Sequence, residues 1–121
     1  MRKIYFLMLV AMLILVGCSN HTLHFKGESD HWKGNYTTNV DATREDGQFE
    51  FVFKDGKQMK KNLEITVNGS TGVSKRTDGE SDETVIKMNT SCSGCAVTKD
   101  SDVFKVTIKW NGNEESFELK K

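Results

Sequence analysis

From residue 23 onward the chain alternates apolar and polar positions with a period of two. Trp32, Gly34, Tyr36, Thr38 and Val40 fall on one face, with Lys33, Asn35, Thr37 and Asn39 on the other. Phe49, Phe51 and Phe53 alternate with Gln48, Glu50 and Lys54. Leu63, Ile65 and Val67 alternate with Asn62, Glu64, Thr66 and Asn68. Phe104, Val106, Ile108 and Trp110 alternate with Lys105, Thr107 and Lys109. Each run predicts a half-buried strand, apolar side inward. Leu23 with Phe25, Gly72 to Lys75, and Thr84 to Met88 make weaker strand candidates. No window after residue 18 shows helical periodicity. Asn111-Gly112 lies between two alternating runs and supplies the positive φ angles of a tight hairpin. Asp46-Gly47, Asp55-Gly56, Asn68-Gly69 and Asp78-Gly79 predict further turns. Seven or eight short strands spaced this way predict an all-β fold. The expected form is a small antiparallel β-sandwich of immunoglobulin-like architecture, with a small β-barrel as the alternative. Trp32 and Trp110, both on inward faces, are expected in its core.

The first residues follow a different pattern. Arg2 and Lys3 precede an uncharged apolar run, Ile4 to Val16, of thirteen residues. As a helix it would be roughly 20 Å long, short of the ~30 Å hydrocarbon core of a bilayer, but it has the length of a signal-peptide apolar region. No Ala-x-Ala site follows. Leu15-Val16-Gly17-Cys18 stands there instead, and it resembles the lipobox of bacterial lipoproteins. That resemblance implies diacylglyceryl transfer to the Cys18 thiol and cleavage after Gly17. Residues 1–17 are then a signal peptide, 18–22 the lipidated cysteine with a short tether, and 23–121 the sandwich. Extended, Ser19 to Thr22 reach about 13 Å, so the domain is expected close against the outer face of the cell membrane.

Cleavage removes two of the 17 basic residues and none of the 17 acidic ones, leaving a net charge of −2. A near-neutral exported domain is not expected to bind nucleic acid. There is no P-loop, dinucleotide fingerprint or HExxH, and Gly69-Ser70-Thr71-Gly72 is one residue short of a nucleophile elbow. No catalytic residue, cofactor or metal site is expected.

Cys92-Ser93-Gly94-Cys95 is the one motif with possible chemistry. It could be a structural disulfide, a redox dithiol, or half of a metal site completed by His24 and His31. A thioredoxin-like reading wants a helix after the dithiol and a cis-proline opposite; no helix is predicted and the chain has no proline. Neither histidine has finger-like spacing to the cysteines. An oxidising exterior favours the disulfide. Lys54, Lys57, Lys60 and Lys61 form a basic cluster that could contact anionic head groups or wall polymers, or simply be a solvated loop beside an edge strand. Asp78 to Glu83 place four carboxylates in six residues, read as a solvated acidic loop or a loose calcium site.

Phe25-Lys26-Gly27-Glu28-Ser29, Trp32-Lys33, Tyr36, Ser91-Cys92-Ser93-Gly94-Cys95-Ala96 and Val106 to Gly112 together resemble a group of small uncharacterised surface lipoproteins of Gram-positive, Bacillus-type bacteria. The resemblance spans nearly all of the mature chain. It implies a lipid-anchored β-rich domain and carries over no catalytic or binding residue. The expected function is a non-catalytic module, held to the bilayer by its Cys18 anchor, that binds an envelope protein or ligand. The alternative is a thiol-redox or metal-handling lipoprotein centred on Cys92 and Cys95.

Overall fold

The computed structural model describes residues 3–5, 21–70 and 72–121. Cys18 and the rest of the lipobox lie outside them. Eight strands follow in order: β1 (His21–Glu28), β2 (Trp32–Val40), β3 (Arg44–Phe53), β4 (Lys60–Gly69), β5 (Gly72–Ser81), β6 (Val85–Ser93), β7 (Phe104–Trp110) and β8 (Asn113–Leu119). They form two four-stranded antiparallel sheets, ordered β1-β2-β3-β6 and β5-β4-β7-β8. This is the expected sandwich, with its own connectivity. In the seven-strand immunoglobulin pattern the second strand pairs with the fifth, whereas here β2 pairs with β3.

The two inner faces come from the alternation. Phe25, Trp32, Phe51 and Ile86 of one sheet and Ile65, Val106, Ile108 and Leu119 of the other are fully buried. At one end Trp32 packs edge-on to Trp110, with ring centroids 5.7 Å apart, and lies 4.9 Å from Phe53. Its indole Nε1 is buried without a hydrogen-bond partner, a cost the surrounding aromatic packing offsets. At the other end Tyr36 stacks on Phe49 at 4.0 Å, and Phe104 meets both rings edge-on. Asn111 (φ 48°) and Gly112 (φ 76°) make the expected hairpin, closing Trp110 against Asn113.

Two expected turns are strand instead. Asp46-Gly47 lies within β3, because Tyr36 occupies the space beside residue 47: a Cβ there would stand 2.4 Å from the tyrosine hydroxyl. Gly47 admits a ring and turns nothing. Asp78-Gly79 lies within β5, which β4 holds in register from Gly69↔Gly72 to Lys60↔Ser81. The weak candidates at 72–75 and 84–88 are thereby lengthened into β5 and β6. β1 begins at His21, inside the expected tether, with Thr22 paired to Asn39 and its hydroxyl donating to Asn39 Oδ1 at 2.7 Å.

Among the described residues, backbone hydrogen bonds join the two sheets along one side. Lys26 and Lys120 exchange backbone hydrogen bonds of 3.1 and 3.2 Å, stitching β1 to β8. On the opposite side the edge strands β5 and β6 face each other without a ladder, and that side holds the candidate site.

Candidate functional site

Strand direction sorts the loops into two ends. The start of β1, the β2–β3 turn, the β4–β5 turn, the end of β6 and residues 94–103 share one end. The β1–β2, β3–β4, β5–β6 and β7–β8 connections share the other. A cleft of about 220 Å³ opens at the first end, between β5 and β6. Tyr36, Phe49, Val67 and Phe104 line its apolar part. Gly72 and Ser74 line the β5 side, and Thr90, Ser91 and Cys92 the β6 side, with Cys95 and Ala96 beside them.

Cys92 and Cys95 are joined by a disulfide. Cys92 is exposed and Cys95 half-buried, so the bond sits at the rim of the cleft. Two other contacts hold the same loop. Gly94 N–H donates to Thr43 O at 2.6 Å, continuing the β3–β6 ladder past the strand ends. Thr98, buried, donates to Glu45 through both its amide and its hydroxyl, each at 2.7 Å.

Glu45 is the centre of this end. The residue is only 6% exposed, yet Tyr36 Oη (2.7 Å) and Thr38 Oγ1 (2.9 Å) also donate to its carboxylate. Burial raises its pKa, but the hydrogen bonds from Thr98, Tyr36 and Thr38 outweigh that and hold it below the usual carboxylate value. The Tyr36 hydroxyl is pushed up to about 12, chiefly by burial. Glu45 is thus a charged, satisfied group that bridges β2, β3 and the disulfide loop. Among the described residues it is also the only formally charged side chain lining the cleft. No motif marks Glu45 in the sequence. The signal was there: stepping back by twos from Phe53 through Phe49 places residue 45 on the inner face.

The sequence-predicted residues disperse. His24 is exposed, with its Nδ1 3.3 Å from Thr37 Oγ1. His31 lies at the far end, where its backbone N–H (3.0 Å) and its ring Nδ1 (2.5 Å) reach Glu115, which also accepts from Ser29 Oγ at 2.6 Å. The bond to Glu115 raises the His31 pKa, against an opposing effect of burial. Neither histidine meets the cysteines, and among the described residues no three His, Cys, Asp or Glu side chains could hold a metal ion together.

The basic cluster is reduced. Lys60 is fully buried, its ammonium donating to Gln58 O at 3.0 Å and lying 4.9 Å from the centre of the Phe53 ring. Its inward place on β4 removes it from any contact with anions, and burial lowers its pKa. Lys54 pairs with Glu28 (2.9 Å) and with Ser29 O (2.7 Å). Lys57 and Lys61 remain exposed. The acidic cluster divides as well. Asp78 and Glu80 are in β5, and Arg76 is 3.1 Å from Asp78 and 3.8 Å from Glu83.

In comparisons with known proteins, no family model, curated protein or solved structure matches this chain.

Proposed function

We propose that this protein is a lipid-anchored, non-catalytic binding module on the outer face of a Gram-positive cell membrane, and that its cleft is the site that receives an envelope partner. The observation that carries the reading is the cleft's place at the end where β1 begins. His21 is three residues from Cys18, a reach of about 10 Å, so a diacylglyceryl anchor on Cys18 sets the cleft near the bilayer. A rigid aromatic floor and a satisfied internal charge suit recognition. Lys57 and Lys61 are on the opposite end. The ten residues of β3 alone span about 30 Å, several Debye lengths from head groups at the anchored end. The anionic surface left to them is wall polymer and not lipid.

A thiol-redox role is the second reading, favoured by the exposure of Cys92. Against it, Cys92 lies at the end of β6 and the pair does not sit at a helix N-terminus, where redox dithiols are commonly activated. The Glu45–Thr98 contact also positions the loop without the sulfurs.

Two measurements test the proposal. Cys18→Ser is expected to release the domain to the medium or leave unprocessed precursor; mass spectrometry showing an unmodified cysteine in a full-length membrane form refutes the anchor. A photo-crosslinking residue at Ala96, at the cleft, is expected to capture a partner in intact membranes. Crosslinks from position 57 and none from position 96 refute the cleft as the site.

A further inference from the structure

We infer that the cleft receives an extended polypeptide segment, which adds to the free edge of β6 and seats one apolar side chain against Tyr36, Phe49 and Phe104. The inference rests on the reading of the cleft as the binding site and names the class of partner.

The register of β6 carries the first part. Phe53 N–H donates to Thr84 O at 2.9 Å and Gly94 N–H to Thr43 O at 2.6 Å. Both follow the β3–β6 register, so residues 84, 86, 88, 90, 92 and 94 direct their backbone polar groups to β3. Residues 85, 87, 89, 91 and 93 direct theirs the other way. Arg76 Nη1 reaching Lys87 O at 2.9 Å marks that outward edge. Asn89 and Ser91 therefore present N–H and C=O groups along the rim of the cleft, and among the described residues β3 is the only sheet neighbour of β6.

Composition carries the second part. Edge strands are ordinarily guarded by charge, bulges or proline. β5 carries Lys75, Arg76, Asp78 and Glu80, and Arg76 with Asp78 fills the middle of the gap. From Met88 to Ser93, β6 has no charge at all. The unguarded length is the part that borders the cleft.

The third part is size and charge. About 220 Å³ is below the ~300–1,000 Å³ of small-molecule sites and matches a single large side chain. A sheet edge supplying main-chain hydrogen bonds beside a pocket for one side chain is the arrangement of strand addition. Glu45 at the cleft, with Asp46 bonded to Ser91 at 3.0 Å, selects against acidic residues in the segment. The occupant is an extended peptide with an aromatic or branched apolar residue, flanked by neutral or basic ones.

The test uses residues 19–121 displayed against a random library of roughly ten-residue peptides. Enriched peptides are expected to share one large apolar position and to lack acidic neighbours. Ser91→Pro removes an N–H that β3 does not use, so the fold is retained, as circular dichroism and melting will report. It is expected to weaken the selected peptides about tenfold or more, and Ala96→Trp, which crowds the cleft, to do the same. Amide exchange at Asn89 and Ser91 should slow on binding. Loss with Ala96→Trp but none with Ser91→Pro overturns strand addition while leaving the cleft as a binding site. Selected peptides indifferent to both variants, or no enrichment, overturn peptide binding at the cleft altogether.

Discussion

Replacing Glu45 tests whether one buried carboxylate holds the cleft end together. Four donors converge on it. In Glu45→Ala, Tyr36 Oη keeps Thr90 Oγ1 at 2.8 Å and Thr38 Oγ1 keeps Asp46 O at 3.3 Å. Among the described residues the Thr98 amide has no such second acceptor. A buried donor left unpaired costs about 1–3 kcal/mol, and each lost hydroxyl bond about 0.5–1.5 kcal/mol. Water entering the cleft recovers part, leaving a destabilisation of about 3 kcal/mol, a fall in melting temperature of about 12–20 °C for a domain of this size. Glu45→Gln should cost only about 1 kcal/mol, because an amide oxygen can still accept from Thr98 N–H while its NH₂ donates to the hydroxyls. The pH dependence separates the two variants. A carboxyl whose folded pKa lies below 4.5 contributes stability that is present above 4.5 and lost as pH falls through the folded value. Urea unfolding at neutral pH and at about pH 3.5, followed by circular dichroism, should show a wild-type acid loss that Glu45→Gln lacks in part. An alanine cost below about 0.5 kcal/mol, or equal acid dependence in wild type and Glu45→Gln, would refute the argument.

The Cys92→Ser/Cys95→Ser variant should fold with the same circular dichroism and a loss of at most about 1.9 kcal/mol, the chain entropy of a four-residue loop; failure to fold would contradict it. Lys60→Met keeps the buried stem and removes an ammonium that has no carboxylate within ion-pair distance among the described residues. Its stability should change by less than about 1 kcal/mol, and a loss above 2 would show that the charge matters. His31, ring 5.8 Å from Trp110, should titrate with a midpoint above 6.5, visible in tryptophan fluorescence and returned toward 6.5 by Glu115→Gln. Its folded pKa is raised, so its contribution is complete below 6.5 and lost as pH rises through the folded value; a midpoint at or below 6.5 refutes the bond to Glu115.

The local pattern by itself determined the class of fold, most of the core and the turns at Asp55-Gly56 and Asn111-Gly112. Period-two alternation puts every second side chain on one face, whatever the partner strand, so Trp32, Phe51, Ile65 and Ile108 were legible as core. Asn111-Gly112 was legible because its φ angles are a property of the dipeptide. Asp46-Gly47 was not legible: Gly47 answers to Tyr36, a residue eleven positions away in sequence that only sheet pairing brings beside it. Lys60 read as surface because lysine usually is, until β4 carried it under Phe53. Glu45 lay on an extrapolated inner face, but its partners Tyr36, Thr38 and Thr98 come from three places in the chain. The cleft is more tertiary still. It exists because the sheets are stitched at β1 and β8 and left apart at β5 and β6, and strand order across a sandwich is set by long-range pairing that no local period encodes.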